Sequence, residues 1–286
     1  MKHVFIMNDT KKNHDFEEVI HKVMKDYEYE IIYTHSLKEV YNCIKSFKEK
    51  TRVYSVGGDG SISGVMQALV NTYHELVPIP LGTGNDFIRQ LTDKKDPEEI
   101  LRSSLNAEVE KIDCIKMNDQ YYINTACFGV DSVIGTHVHD VEDIPFVPKS
   151  QSYIVSILKH VFKFDFGEVE LHGDGQLLYK GNITVLTINN GQYYGGGFMI
   201  TPQADMKDGY MDIVVCDQVP KSKIPGLFLS VLRKTHLSKK QVKSFKVKEA
   251  YLKTMNSGNL DGEEVPVVGE YHFSVIPESI NLVMYK

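Results

Sequence analysis

Apolar and polar positions follow two alternating periods along the first hundred residues. Short apolar runs at Val4 to Met7, Tyr29 to Tyr33, Val53 to Val56 and Val77 to Leu81 have strand length. The first three are each followed by apolar residues recurring every three or four positions, which marks one face of a helix. Phe16, Val19, Ile20, Val23, Met24 and Tyr27 form the first such face. Leu37, Val40, Tyr41, Ile44 and Phe47 form the second, opened by Ser36 and Glu39 at capping-box spacing, and Ile62, Val65, Met66, Leu69, Val70 and Tyr73 form the third. The fourth run is closed by Gly-Thr-Gly-Asn-Asp at 82–86 before another helical pattern, and Pro97 to Leu105 predicts one more short helix. Repeated strand and helix units with short connections predict an α/β domain built on a doubly wound parallel sheet.

After about residue 107 the pattern changes. Glu108 to Met117, Gln120 to Cys127, Gly167 to Leu171, Gln176 to Lys180, Asn182 to Asn189, Tyr210 to Val215, Ser244 to Thr254 and Tyr271 to Ile276 read as strands, several of them alternating, and Gly173-Asp174-Gly175 reads as a hairpin turn. Strands that follow one another with few helices between them predict a second, antiparallel β domain, a sandwich or flattened barrel. Two helical stripes interrupt it, one at Tyr153, Ile154, Ile157, Leu158, Val161 and Phe162 and one at Ile224, Leu227, Phe228, Val231 and Leu232. Both read as core-facing, because an apolar stripe is what a packed helix shows. Ile280 to Tyr285 is a last strand, free by pattern to join either domain.

Composition narrows the class. The 286 residues suffice for two domains, and no apolar run approaches the roughly 20 residues of a membrane span. The N-terminal stretch is too short for a signal peptide, so a cytoplasmic location is expected. Cys43, Cys114, Cys127 and Cys216 are widely spaced in apolar contexts, which favours reduced core thiols over disulfides or structural zinc. His137 and His139, near Asp140, Glu142 and Asp143, are a weak zinc signal. A net charge of −6 disfavours general nucleic-acid binding, yet Gln218 to Lys248 holds nine basic residues and no acidic one. Such a stretch suits either a solvated face or contact with an anionic surface.

Candidate chemistry gathers where the first-domain strands end. Asn8, Asp9 and Thr10 follow strand one, Thr34 follows strand two, Gly57 to Ser63 follows strand three and Gly82 to Asp86 follows strand four. Ligands of doubly wound sheets sit at those carboxyl ends. Gly57-Gly58-Asp59-Gly60 running into a helix is a phosphate-binding arrangement, because free amides and the helix dipole converge while glycine lets an anion come close. A carboxylate among such amides repels phosphate unless a divalent cation intervenes, so Asp59, with Asp86 on the next turn, suggests magnesium. Asn259-Leu260-Asp261-Gly262-Glu263 is an Asp-Gly turn between β segments that offers a carboxylate from the second domain. Asp205 to Asp212 carries three carboxylates around Gly209 but lacks the twelve-residue calcium spacing.

With Gly57-Gly58-Asp59-Gly60-Ser61, Gly82-Thr83-Gly84-Asn85-Asp86-Phe87 and Asp261-Gly262-Glu263 in this order, the chain resembles the diacylglycerol kinase catalytic family, which includes bacterial lipid kinases and is similar to sphingosine and ceramide kinases. The resemblance spans essentially the whole chain. It implies ATP-dependent phosphorylation of a lipid hydroxyl at an interdomain site, with the expected division 1–115 for the nucleotide-binding domain, 116–277 for the β-rich acceptor domain, and a strand near 278–286 returning to the first. It assigns nucleotide binding to Asn8, Asp9, Thr10, Thr34, Gly57, Gly58, Asp59, Gly60, Ser61, Ile62, Ser63, Thr83, Gly84 and Asn85. It makes Glu263 the general base, with Asp59 and Asp86 organising Mg2+ and phosphate, and it places a structural magnesium at Asp205, Asp208 and the backbone of Tyr210. The implied partner is a lipid at the membrane surface, with peripheral association, and apolar β-domain edges fit a homodimer. The first loop departs from the family pattern, carrying Asn8-Asp9-Thr10-Lys11-Lys12 without glycine. The rival readings are a kinase of the NAD kinase type, which shares the first turn, and a nucleotide- or lipid-binding regulator without turnover.

Overall fold

A computed structural model describes residues 1–82, 84–129 and 167–285 of the chain. Thr83, His137, His139 and the stripe at Tyr153 to Phe162 lie outside the described residues.

The first domain is the expected α/β unit. Strands β1 (Lys2–Asn8), β2 (Tyr29–Thr34), β3 (Thr51–Gly57) and β4 (Glu75–Pro80) form a parallel sheet in the order β2-β1-β3-β4. Helices α1 (Lys11–Val23), α2 (Leu37–Lys45) and α3 (Asp59–Leu69) connect them, followed by α4 (Asp86–Arg89) and α5 (Pro97–Ser104). Every residue of β3 is buried, as a central strand covered on both faces requires. The connection from β1 moves one way along the sheet and the connections from β2 and β3 move the other. Right-handed crossovers then place α1 on one face and α2 with α3 on the opposite one, and α2 does pack along α3. The strand order therefore switches between β1 and β3, and a crevice opens at their carboxyl ends.

The second domain is a β-sandwich. One layer runs through β5 (Val109–Met117), β17 (Glu270–Val283), β14 (Glu249–Thr254) and β8 (Glu168–Gly173), with β6 (Gln120–Tyr122) beside β5. The other contains β7 (Thr125–Gly129), β12 (Met211–Asp217), β13 (Val242–Val247), β15 (Gly258–Leu260) and β16 (Glu263–Val265). β9 (Gln176–Asn189) belongs to both, pairing with β8 along its first half and with β7 and β12 along its second. Phe128, Leu171, Ile188, Ile213, Leu252, Tyr271 and Phe273 are buried between the layers. A two-residue-wide hairpin, β10 (Tyr193–Tyr194) with β11 (Phe198–Met199), and a helix α6 (Ile224–Leu232) lie outside them.

Several segment boundaries differ from the sequence pattern, each for a local reason. Tyr271 to Ile276 and Ile280 to Tyr285 belong to one strand, β17, whose register shifts between Ile276 and Ile280. Pro277 lacks an amide and Glu278 is left-handed at φ 49°, so the polar interruption is a bulge inside a strand and not its end. The buried Asp113 holds that bulge, accepting from the Glu278 amide (2.8 Å) and from the Gly209 amide (2.8 Å). Likewise Gln176 to Lys180 and Asn182 to Asn189 form the single strand β9. Ser244 to Thr254 instead divides at Lys248, where Asp174 accepts the amides of Lys248 and Glu249, and its halves enter different layers. The Gly173-Asp174-Gly175 hairpin forms as read, with Asp174 and Gly175 at φ 47° and 79°. β15 and β16, too short to show a period, are additions to the pattern.

Beyond the bulge, Asn281 and Leu282 of β17 pair in parallel with Glu75 and Leu76 of β4, while β5 pairs with β17 on both sides of the bulge. One strand thus joins the two cores. Replacing Asp113 by Ala takes the charged acceptor from two part-buried hydrogen bonds, and we expect a loss of about 2 kcal/mol of stability in chemical denaturation.

Candidate functional site

The site starts from two glycine turns pressed against each other. β3 and β4 are neighbours in register, with Gly57 opposite Pro80. The Gly57 carbonyl accepts the amides of Leu81 (2.9 Å) and Gly82 (3.2 Å), which ties the turn after β4 to the turn after β3. A Cβ on Gly82 would sit 2.3 Å from the Gly58 Cα, and one on Gly57 would sit 2.2 Å from the Ser61 Oγ. Only glycine fits either position. Gly58 is the N-cap of α3 and supplies no side chain, so the opening turn of that helix faces the crevice with its backbone, the arrangement that binds phosphate.

Asp59 is used differently from the expectation. Its two oxygens accept the amides of Asp86 (3.1 Å) and Phe87 (3.0 Å), so it caps α4 from across the crevice. Asn85, the residue preceding that helix, is left-handed at φ 54° and makes no side-chain cap; its amide nitrogen donates to the Gly82 carbonyl (2.9 Å). The carboxylate among these amides is thus itself held by two backbone amides at the start of α4.

Asp86 points towards the second domain. One oxygen accepts the Gly196 amide (2.8 Å) of the β10–β11 hairpin, while the other is buried without a hydrogen-bond partner, with the Arg89 Nε at 3.7 Å. Arg89 also donates to the Gly84 carbonyl, closing the second turn. Burial, reinforced by the nearby Asp59 charge, pushes the Asp86 carboxyl up to about 6.

The second domain contributes the β15–β16 hairpin. Its turn, Asp261 and Gly262, has φ values of 47° and 95°. Asp261 turns its carboxylate back to accept the amides of Ile123 (3.1 Å), Asn124 (3.1 Å) and Thr125 (2.9 Å), and burial raises it to about 6. With the hairpin fixed in this way, Glu263 at the start of β16 is exposed and lies over the first turn of α3: a Cβ on Gly60 would be 3.4 Å from its Oε1. A carboxylate from one domain thus meets the anion-binding turn of the other.

The remaining expected residues divide. Thr10 caps α1 through its hydroxyl and Asn8 offers its carbonyl to the Asn13 side chain, so the glycine-free first loop is a well-formed helix start beside Gly57. Asp9 is paired with His14 at 2.7 Å, and Thr34 is buried against the Met7 carbonyl. Ser61 and Ser63 are part of α3 and half-buried, but Ile62 is fully buried in the first core, and its side chain packs away from the crevice. At the turn expected to hold a structural magnesium, each expected residue has a partner within the chain. Asp208 holds the Lys246 ammonium at 2.5 Å and accepts the Tyr210 amide at 2.9 Å, and Asp205 accepts the Lys207 amide at 3.0 Å. No cluster of three or more His, Cys, Asp or Glu side chains suited to a metal occurs among the described residues.

Two functional positions went unread in the sequence. Asp261 was one letter of a motif, although an Asp before the glycine of a tight turn is the usual place for a side chain that folds back onto amides. Lys12 reaches from α1 to the Leu81 carbonyl and sets an ammonium at the rim beside Gly82, which the missing loop glycine obscured.

Residues 2–117 match the family described as the diacylglycerol kinase catalytic domain, and residues 124–284 match the YegS C-terminal NAD kinase beta sandwich-like domain. A Pseudomonas putida protein named "Probable lipid kinase YegS-like" is 30% identical over 167 residues, covering 58% of this chain and 55% of that protein. A Mycobacterium tuberculosis protein named diacylglycerol kinase is 26% identical over 206 residues, covering 70% of this chain and 66% of that protein. The chain thus spans between about half and two thirds of these relatives' length. A crystal structure of a diacylglycerol kinase from Bacillus anthracis str. Sterne superposes with a TM-score of 0.74 at 18% identity, covering 99% of this chain and 96% of that one. An Archaeoglobus fulgidus NAD kinase in complex with ATP superposes with a TM-score of 0.55 at 16% identity, covering 100% and 94%. At these identities the likeness is one of fold.

The geometry yields two expectations. Gly82→Ala drives a Cβ into backbone and should cost about 1–3 kcal/mol, read as a lower denaturation midpoint. Asp86 has a folded value of about 6 against an ordinary 3.8, so the native state holds its proton more tightly than the unfolded chain does. That contribution is complete below about pH 4 and is lost as pH rises through about 6. Stability of the wild type should therefore fall more steeply from pH 4 to 6 than that of Asp86→Asn; parallel curves would remove the assignment.

Proposed function

We propose, from the premise that this chain belongs to the lipid kinase family that joins a diacylglycerol kinase catalytic domain to a YegS C-terminal domain, that it transfers the γ-phosphoryl group of ATP to a lipid hydroxyl, with diacylglycerol as acceptor and phosphatidic acid as product. The observation that carries this reading is Glu263 lying over Gly60, a carboxylate of the second domain beside the glycine-lined start of α3.

The residues divide the work. The backbone of Gly58 to Gly60 and the α3 dipole hold phosphate, and Lys12 adds positive charge at the rim. Glu263 accepts the proton of the attacking hydroxyl as the new O–P bond forms and the bond to the departing nucleoside diphosphate breaks. Asp59 positions α4 and thereby Asp86, and Asp261 positions Glu263; these act through other groups. The Asp86 oxygen that lacks a hydrogen-bond partner fits magnesium as part of a nucleotide complex: it would offer one carboxylate, and waters and phosphate oxygens would supply the rest, leaving Glu263 to act as the base. When bound, MgATP supplies the phosphoryl group and the cation neutralises charge that builds on it. Such an acceptor lies in a bilayer, so turnover requires a peripheral encounter with a membrane. No helix among the described residues is long and apolar enough to cross one.

The test is incubation with labelled ATP, magnesium and a panel of diacylglycerol, other hydroxyl lipids and NAD, followed by identification of the labelled product. Label on NAD alone, or on nothing, would overturn the reading. Glu263→Gln should lower kcat about 10²–10⁴-fold while leaving the affinity for ATP within a few fold. Full activity in that variant would sink the role given to Glu263.

A further inference from the structure

α6 is apolar beyond the face it packs with. Its nine residues, Ile-Pro-Gly-Leu-Phe-Leu-Ser-Val-Leu, contain no charge, yet the two that are buried are Ile224 and Ser230. Pro225, Leu229 and Leu232, four and three apart, share the opposite face. Leu229 and Leu232 are 43% and 49% exposed. Of the stripe read as core-facing, Ile224 is buried and Leu227, Phe228 and Val231 are half-buried, so that face does pack inward; Leu232, at the stripe's edge, and Leu229, outside it, are left on the outer face.

Cations frame this apolar face. Lys223 precedes the helix, Arg233 and Lys234 end it, and Lys239 and Lys240 follow a single turn at His236–Ser238. All five are exposed and meet no carboxylate among the described residues. Lys243 and Lys246, further along the same run, meet Asp217 and Asp208. A solvated basic face alone accounts for the cations but not for leucines outside. An apolar strip rimmed by unpaired cations matches the headgroup boundary of an anionic bilayer, which takes up both.

The same helix touches the candidate site through one hairpin. Phe228 of α6 meets Phe198 of β11, with ring centroids 4.9 Å apart, and the buried His236 bonds the Ile200 carbonyl at 2.7 Å. Two residues before Phe198, the Gly196 amide holds Asp86, and Gly197 lies against the Arg89 guanidinium. Gly195, Gly196 and Gly197 all have positive φ, so this connection is built of backbone that few other residues could replace.

We propose that α6 and its flanking cations form the docking face for an anionic bilayer, with the outward leucines entering the headgroup boundary, and that the Phe228–Phe198 contact ties this docking to the hairpin that holds Asp86. The second half rests on the lipid kinase reading; the docking face itself does not. The surface gives the enzyme a fixed approach to the bilayer from the side of the hairpin, so that an acceptor lifted from the membrane arrives where the two domains meet.

The experiment is flotation of the full chain with vesicles of phosphatidylcholine alone or with one third phosphatidylglycerol, paired with sedimentation of the free protein. The wild type should bind the anionic vesicles, more weakly at high salt, and Leu229→Glu/Leu232→Glu should lose at least tenfold in binding with an unchanged circular-dichroism spectrum. The same variant should phosphorylate a short-chain, water-dispersed diacylglycerol as the wild type does. Phe198→Ala should keep vesicle binding but lose the excess of turnover on vesicles over the dispersed acceptor. Undiminished vesicle binding by the double variant would overturn the docking face. So would a change in its oligomeric state without a change in vesicle binding, which would make the strip a contact between copies. If the wild type binds vesicles through α6 yet phosphorylates no lipid, the kinase reading fails and the docking face stands.

Discussion

The candidate site depends on the contact between the backbones of Gly58 and Gly82. A methyl group on Gly82 would come 2.3 Å from its partner's Cα, so the two turns can meet only because neither has a side chain. That meeting brings the start of α3 and the start of α4 to opposite walls of one crevice. Asp59 then spans the gap and caps α4 through both oxygens, which fixes the direction of Asp86. Asp86 in turn takes an amide of the second domain. The absence of two side chains is in this way converted into a chain of hydrogen bonds that ends on the other domain.

The two domains share covalent and hydrogen-bonded structure as well as a seam. β17 crosses from the sandwich to the edge of the parallel sheet, and β5 pairs with it on either side of the bulge at Pro277 to Ser279. Continuous pairing of this kind resists shear between the cores far better than a linker does. The bulge lets one strand pair with the sandwich on one side and with β4 on the other, and the Asp113 carboxylate accepts the Glu278 amide that the bulge releases. The distance from the glycine turns to the β15–β16 hairpin is thereby a property of the fold.

Electrostatics at the seam follow from burial. Burial lifts the carboxyls of Asp86 and Asp261 to about 6, and the nearby Asp59 charge adds to the lift at both. Backbone amides oppose the lift at each. A region that concentrates partly relieved negative charge beside an uncapped helix start suits ligands that bring their own cation, and the Lys12 ammonium and the Arg89 guanidinium stand at its edges.

Much of this was legible in the amino-acid order. The period of apolar residues determines the parallel sheet, its helices and the strand-rich second half, because period 3.6 and period 2 follow from backbone geometry alone. The glycine turns are legible too, since only glycine tolerates such approach, and the Asp-Gly pair marks its hairpin. Long-range pairing decided the rest. Pro277 reads as a strand end until β5 and β4 pair on either side of it. The stripe from Ile224 to Val231 packs inward as its period says, but that Leu229 and Leu232 stay outside depends on what the rest of the chain leaves uncovered. Asp59 reads as a cation ligand, and only the fold brings the amides of Asp86 and Phe87, 27 and 28 positions away, to its oxygens. Local pattern specifies which way a side chain alternates along its own element, but what a carboxylate or a leucine faces is set by segments distant in sequence, and only the tertiary structure brings those into reach.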